Sequence, residues 1–327
     1  MRAAWYETQG NATEVLQHGE IPAPLPGPGE VLVRVAASGA NPSDCNLRAG
    51  RYGRKMGFAR IVPHNDGAGA IVDAGDGVSR ERIGQRVWVH NAQRGRASGT
   101  AAEFVALDAR LAAPIPDDLD FVRAACLGIP CMTAYLAVFG DGPVEGQRIL
   151  VTGGAGAVGH YAVQLAKWGG AMAAATVSGE EKGRHAREAG ADLVLNYRSD
   201  DVVRALGEWS HGEGIDRVVD VDFGANLPVT REVLRVGGTI SMYSSVAVPE
   251  PTVPALALMF KNATVHFLQL GASPIGRRQM AQDGIRRWLA SGRPLHRVAA
   301  CVPLGDIARA HEIIESGDRL GAVVVTI

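Results

Sequence analysis

The chain has 327 residues, 46% of them hydrophobic and 20% charged, with a net charge of −1. That balance suits a folded, enzyme-sized protein of two domains, and it offers no whole-molecule field for nucleic acid or an anionic membrane. The opening MRAAWYETQGNATEV turns polar too soon for a signal peptide, and no apolar run is long enough to span a bilayer, so a cytoplasmic protein with no membrane partner is expected.

Up to about residue 120, Gly, Pro and Asp interrupt the chain every few residues. The pieces EVLVRVAASG, GAGAIVDAGDGV, GQRVWVH and AAEFVAL predict a small, irregular β-barrel-like domain. From DLDFVRAACLGIPCMTAYLAVF onward, helices alternate with short apolar strands. Strands are expected at 149–152, 172–176, 193–195, 217–221 and 239–243, and helices at 158–168, 180–189, 202–209 and 228–234. The last helix is expected to open on Pro228, since proline suits a first helical turn. Such alternation predicts an α/β fold with a doubly wound parallel sheet. A helix in LGDIARAHEIIESG and a strand in GAVVVTI close the chain. Cys45, Cys126, Cys131 and Cys301 form no Cys-x-x-Cys, which predicts reduced thiols rather than disulfides or a zinc cluster.

Gly154, Gly156 and Gly159 form a G-x-G-x-x-G array between the strand RILVT and the helical pattern VGHYAVQLAKW. In a Rossmann turn the first glycine permits the bend, the second lets backbone approach a pyrophosphate, and the third lets helix and strand pack closely. The helix N-terminus then offers N–H groups to the phosphates. The array therefore predicts a dinucleotide cradle. A carboxylate about 20 residues further on would mark NAD, but this strand ends Thr176-Val177-Ser178, small and neutral, with Lys182 and Arg184 beyond. NADPH is the expected coenzyme. Ser178-Gly-Glu-Glu181 also reads as a capping box, in which the hydroxyl would serve the helix instead.

The segments ASGANPSDCNLRAGRYGRK, GQRVWV, AAEFV, CLGIPCMTAYLAV, GGAGAVGHYAVQLAKWGG, EAGADLVLNYRSDD, LRVGGTISMYSS and AHEIIESG occur in this order over essentially the whole chain. In them the chain resembles the zinc-free quinone oxidoreductases of the medium-chain dehydrogenase/reductase superfamily. The resemblance implies a GroES-like catalytic domain (1–122 and 265–327), a Rossmann NADP-binding domain (123–264) and an active site in the cleft. It places Tyr52 beside nicotinamide and substrate, Asn41 and Asp44 on the active-site floor, and Thr133 near the nicotinamide. It assigns Ala157, Val158 and Gly159 to the pyrophosphate, and Ser178, Lys182 and Tyr197 to the 2′-phosphate and adenine end. Asn226, Ser244, Phe267 and Gln269 correspond more loosely to later coenzyme contacts. Two departures concern the substrate: some relatives have a tyrosine where Asn46 stands, and a late Gly-Lys pair is Gly321-Ala322 here. A homodimer or homotetramer paired through the ISMYSS strand region is implied too.

Zinc enzymes of the superfamily ligate metal with Cys, His and a further Cys or His; the matching positions here are Asn41, Asn65 and a residue near Ile129, which lack the thiolate and imidazole zinc prefers. No metal is expected, and His64 alone reads as a surface or supporting residue. His311 to Glu315, HEIIE, reads as an ordinary amphipathic helix. Without a Lewis acid, an acceptor that spreads charge through its π system is favoured, and Asn41, Tyr52, Asn65 or water are the candidate donors to its oxygen. Tyr52 reads equally as an aromatic packed on the coenzyme, and Asp44 as an orienting group, since nothing in the sequence raises its pKa. Arg48, Arg51, Arg54, Lys55 and Arg60 make a basic loop that either draws in anions or is simply solvated. Three functions stand open: NADPH-dependent quinone reduction, NADPH-dependent reduction of alkenals, enones or enoyl thioesters, and NADPH binding with little catalysis. Nucleic acid is not expected as the main partner.

Overall fold

In the computed structural model, which describes residues 1–292 and 294–327, the chain divides into two compact units, 1–129 with 296–327, and 130–295. The first opens with β1 (Arg2–Trp5), α1 (Ala12–Val15), β2 (Gln17–Glu20) and the long β3 (Glu30–Ala40). Next come α2 (Pro42–Arg48), β4 (Asp66–Ala74), β5 (Arg86–Val89), β6 (Phe104–Asp108), β7 (Ala112–Pro114) and α3 (Phe121–Ala124). The second unit starts with α4 (Met132–Phe139), β8 (Arg148–Val151), α5 (Ala157–Trp168), β9 (Met172–Val177), α6 (Glu180–Glu188) and β10 (Leu193–Asn196). It continues through α7 (Val202–Trp209), β11 (Ile215–Asp220), α8 (Phe223–Val233), β12 (Leu234–Met242), α9 (Ala255–Phe260), β13 (Thr264–Phe267) and α10 (Ile275–Ser291). The chain returns to the first unit with β14 (Val298–Pro303), α11 (Ile307–Glu315) and β15 (Ala322–Thr326).

In the first unit the main sheet runs β14-β15-β3-β4-β5-β7, with β6 also pairing β3. β3 alternates as a half-buried strand should: Val31, Val33 and Val35 enter a core with Ile71, Val87, Val105 and Leu107. The tail closes this sheet, because β15 pairs antiparallel with β3, Val324 opposite Gly39. α11 is the expected amphipathic helix, burying Ile307, Ala310 and Ile314 with Val323 and Cys45.

The second unit carries a parallel sheet in the order β10-β9-β8-β11-β12-β13. Its central strands are short apolar runs, as burial on both faces demands. α8 departs from expectation: it begins at Phe223, and Pro228 lies inside it. Phe223 and Leu227 share one core cluster with Val233, and this apolar face carries the helix across the proline. Residues from 265 onward were assigned to the first domain, yet β13 pairs in parallel with β12, and Gly284 of α10 lies against the Tyr135 ring where a Cβ would overlap it. The second unit therefore extends to Leu295. The segment expected at the sheet edge, Ile240–Met242, sits inside β12 between two neighbours; the edge strands are β10 and β13. Among the described residues no helix is long and apolar enough to cross a membrane.

Candidate active site

In the second unit β8 leads into a glycine-rich turn, and α5 starts at Ala157 with Gly156 as its N-cap. A Cβ on Gly159 would overlap the Gly153 carbonyl, and one on Gly154 would stand 2.6 Å from Ala175 Cβ on β9. The bend itself falls to Gly153, at φ 66°, rather than to Gly154 as the spacing suggested. A helix leaves its first N–H groups unbonded; here they belong to Ala157 and Val158, and no acidic residue stands in that turn. The tightly packed glycine turn and the unbonded donors fit an anionic pyrophosphate.

The strand ends beside this turn hold the other expected coenzyme residues. Val177 and Asn196 are in register, and Tyr197 N donates to the Val177 carbonyl at 3.0 Å, so Ser178 and Tyr197 lie side by side. The capping box does not form: α6 takes Gly179 as N-cap, with no side-chain cap. Glu180 turns to Arg187 at 3.0 Å, which leaves Ser178 and Lys182 at a tip without an unpaired Glu180 charge. Thr133 is buried in the first turn of α4. Asn226 Nδ2 donates to Asp220 Oδ1 at 2.7 Å, and Thr152 Oγ1 to the same atom at 2.9 Å. Asp220, at the end of β11, escaped the sequence reading; burial raises its pKa. The Ser244 carbonyl accepts from Phe223 N at 3.0 Å, Phe267 is 71% exposed and edge-on to Phe223, and Gln269 caps a short turn through Ala272 N.

The first unit gathers Asn41, Asp44 and Asn65. Asn41 caps α2, and Pro42 at its first position fixes where that helix begins. Asp44 accepts from Asn41 N and from Asn65 Nδ2, each at 2.9 Å. Asp66, next to Asn65 in PHNDGAG yet passed over by the sequence reading, accepts from Asn41 Nδ2 at 2.8 Å and Ile129 N at 2.6 Å. Gly128 closes over its carboxylate, where a Cβ would overlap it. Asn41, Asp44 and Asp66 are buried, whereas Asn65 is half-buried and is the tip of the cluster.

Two buried carboxyls cannot both ionise cheaply. Burial pushes Asp44 up to about 6, against the hydrogen bonds from Asn65 and Asn41. The expectation that nothing raises this pKa is thereby corrected, because sequence does not display burial. Asp66 is raised well above the carboxylate range by burial and by Asp44. Both Asp44 oxygens accept hydrogen bonds, while Asp66 Oδ1 has no partner among the described residues. The arrangement fits one negative charge, on Asp44, and one proton, on Asp66 Oδ1.

Tyr52 does not join this cluster. It is 60% exposed, its hydroxyl has no protein partner among the described residues, and its backbone is left-handed at φ 59°. That conformation is an outlier for an aromatic residue, of a kind that collects at functional sites. The basic loop divides: Arg51, Arg54, Lys55 and Arg60 are exposed, but Arg48 is buried and pairs with Glu315 at 2.6 Å. His64 is not at the surface; it is fully buried and bonded on both ring nitrogens.

Asn41 Nδ2 and Ile129 N are donors to Asp66, and Asn65 Nδ2 is a donor to Asp44. Among the described residues no group of three or more His, Cys, Asp or Glu is arranged to hold a metal ion. Comparison with known proteins matches residues 27–117 to the alcohol dehydrogenase GroES-like domain and 157–286 to the zinc-binding dehydrogenase family. The quinone oxidoreductase of Rattus norvegicus is 29% identical over 95% of this chain and 94% of its own length. A chloroplast envelope quinone oxidoreductase homolog of Arabidopsis thaliana is 32% identical over 73% of this chain and 74% of its own. The structure of an Escherichia coli quinone oxidoreductase complexed with NADPH superimposes over all of both chains, with a TM-score of 0.87 at 27% identity.

Proposed function

The chain belongs to the quinone oxidoreductases of the medium-chain dehydrogenase/reductase superfamily, and on that premise we propose that it reduces quinones with NADPH, without a metal. One observation supports this reading: the Asn41 and Asn65 amides, which the resemblance matches to ligand positions of the superfamily's zinc enzymes, are donors to the buried carboxyls of Asp66 and Asp44. When bound, NADPH supplies the reducing equivalents. Gly154, Gly156, Ala157, Val158 and Gly159 form the pyrophosphate cradle, and Ser178, Lys182 and Tyr197 take the 2′-phosphate and adenine end. Thr133, Asn226, Ser244, Phe267 and Gln269 complete the coenzyme contacts, Asn226 under the hold of Asp220.

Asn65 offers its second amide N–H to the acceptor oxygen as negative charge develops there. Asp44 holds the first N–H and so fixes the amide plane. Asn41 is a buried brace rather than a donor to substrate, since its Nδ2 serves Asp66. Tyr52 carries an unbonded hydroxyl that supplies a proton to the reduced oxygen. A quinone spreads its charge through its π system, so these donors suffice without a Lewis acid.

Mixing the purified protein with NADPH and a panel of benzoquinones, naphthoquinones, conjugated enones and enoyl thioesters, while following coenzyme absorbance, tests the reading. Quinone turnover that survives chelators and zinc-free preparation is expected. Turnover of enones or enoyl thioesters alone would move the assignment to those acceptors, and stoichiometric zinc required for activity would end it. Free cysteines suit a reducing cytoplasm. A homodimer is part of the same proposal. Its support is β13, an edge strand near the exposed Leu256, Met259 and Phe260, since an open apolar edge is otherwise an aggregation hazard. Sedimentation of the wild type as a dimer and of Phe260→Asp as a monomer is expected.

A further inference from the structure

Behind Asn65 the first unit buries a row of polar side chains that the proposed reaction does not use. His64 Nδ1 lies 2.8 Å from Ser38 Oγ, Ser38 Oγ 2.7 Å from Thr100 Oγ1, and Thr100 Oγ1 2.5 Å from the Asp66 carbonyl oxygen. At the other end His64 Nε2 lies 3.0 Å from His311 Nε2 on α11. Ser38, His64, Thr100 and His311 are all fully buried.

One assignment of protons satisfies the whole row. A carbonyl oxygen only accepts, so Thr100 donates to Asp66. Thr100 has then used its hydroxyl proton and accepts from Ser38, which must in turn accept from His64. The His64 proton is thereby placed on Nδ1, and its Nε2 becomes an acceptor. His311 donates from Nε2 and keeps a bare Nδ1; that buried atom has no partner among the described residues, as the assignment requires. Burial keeps both rings neutral, holding His64 down at about 3 and His311 well below the imidazole range, the latter helped by His64 and Arg48.

The row ends on a backbone carbonyl, which cannot pass a proton on, so it is not a relay. It controls geometry instead. His64 is left-handed at φ 77°, a strained backbone for a residue with a Cβ. Its carbonyl accepts from Thr100 N at 3.1 Å, and Gly99 packs so closely that a Cβ would overlap that carbonyl. The residue this bend aims is Asn65. We propose that His64 and His311 are positioning residues: their pair locks the left-handed bend that presents the Asn65 amide, and so ties α11 to the candidate active site. The proposal rests on reading Asn65 as the donor to the acceptor oxygen.

His311→Leu removes the N–H that His64 accepts, whereas His311→Gln keeps an amide N–H in that place. With NADPH and quinone, kcat is expected to fall about ten- to a hundredfold in His311→Leu. NADPH affinity, read by fluorescence, stays unchanged, and His311→Gln restores most of the rate. Equal loss in both variants, or loss of NADPH affinity in step with kcat, would assign a general structural role and overturn the proposal. A second measurement needs no variant to fold. Nitrogen–hydrogen correlation spectra of the wild-type histidine rings at neutral pH are expected to show the Nδ1–H tautomer for His64 and the Nε2–H tautomer for His311. Opposite tautomers or a charged ring overturn the lock. A wild type that reduces no quinone yet shows these tautomers sinks the reading of the reaction and supports the lock. An active wild type with the wrong tautomers does the reverse.

Discussion

Asn41 and Asn65 are the same residue type in neighbouring segments, but burial separates their work: Asn41 braces Asp66, and Asn65 remains half-open. Asn65 donates to Asp44, whose pKa is pushed up to about 6 by burial. Its ionised form accepts from both donors, so kcat/KM with quinones is expected to rise with pH through about 6 and level off above it. Asp44→Asn should erase that inflection and lower kcat about a hundredfold, because an amide presents an N–H to one donor that needs an acceptor. A pH–rate profile of the variant that keeps the inflection would assign it elsewhere. Ser178→Asp puts a carboxylate where the proposed function places the 2′-phosphate. The ratio of NADPH to NADH affinity is expected to drop at least about tenfold, or ~1.4 kcal/mol, measured by titration of each coenzyme.

Among the elements, the strands and helices of the second unit were legible because period and punctuation agree there. α7 falls on the expected 202–209, and α5 begins one residue before its expected start. What could not be read was tertiary in origin. Pro228 looks like a helix start, but the buried faces of Phe223 and Leu227 settle the matter. β13 is four residues long, and although Thr, Val and Phe favour strands, TVHF is too short to be read as one until β12 is beside it. In the candidate site, Asn41, Asp44 and Asn65 were singled out through the resemblance of their segments to the family, and the structure brings them together. Asp66 and the His64–His311 pair were not, since their meaning comes from burial and from contacts up to 247 residues apart in sequence. The glycine turn was legible as a tight strand-to-helix connection, although the bend belongs to Gly153. Its tightest demand is at Gly159, where a methyl group would meet the Gly153 carbonyl. Gly159→Ala should push the start of α5 off the turn, weakening NADPH binding about tenfold and costing about 1–3 kcal/mol of stability. Calorimetric titration and urea unfolding read the two effects separately.

Over the whole molecule, buried titratable groups decide how stability follows pH. His64 and His311 fold as neutral rings with lowered pKa values. Below about pH 6.5 the unfolded chain therefore binds more protons than the folded one. The stability these rings contribute above that pH is lost as pH falls, down to about 3 for His64. Asp44 and Asp66 act in the opposite direction, because their folded values are raised. Their contribution is complete below about pH 4, the unfolded carboxyl value, and is lost as pH rises, through about 6 for Asp44 and beyond that for Asp66. The two slopes oppose each other in mild acid and flatten the curve there. Above about pH 6.5 the histidines are neutral in both states and Asp44 is mostly ionised in both, which leaves Asp66 as the one of these four groups whose protonation still differs. Between about pH 6.5 and 8, below the range in which the buried thiols of Cys45 and Cys126 begin to differ between the two states, the urea midpoint is expected to decline as that proton becomes harder to hold. Asp66→Asn is neutral at every pH: its carbonyl oxygen accepts from Asn41 Nδ2 and Ile129 N, and its amide nitrogen stands where the protonated oxygen stood. Its midpoint should stay level over the same range with an unchanged m-value. A wild type whose midpoint is already level would mean that Asp66 does not carry the proton, and the shared charge of the cluster would have to be placed differently.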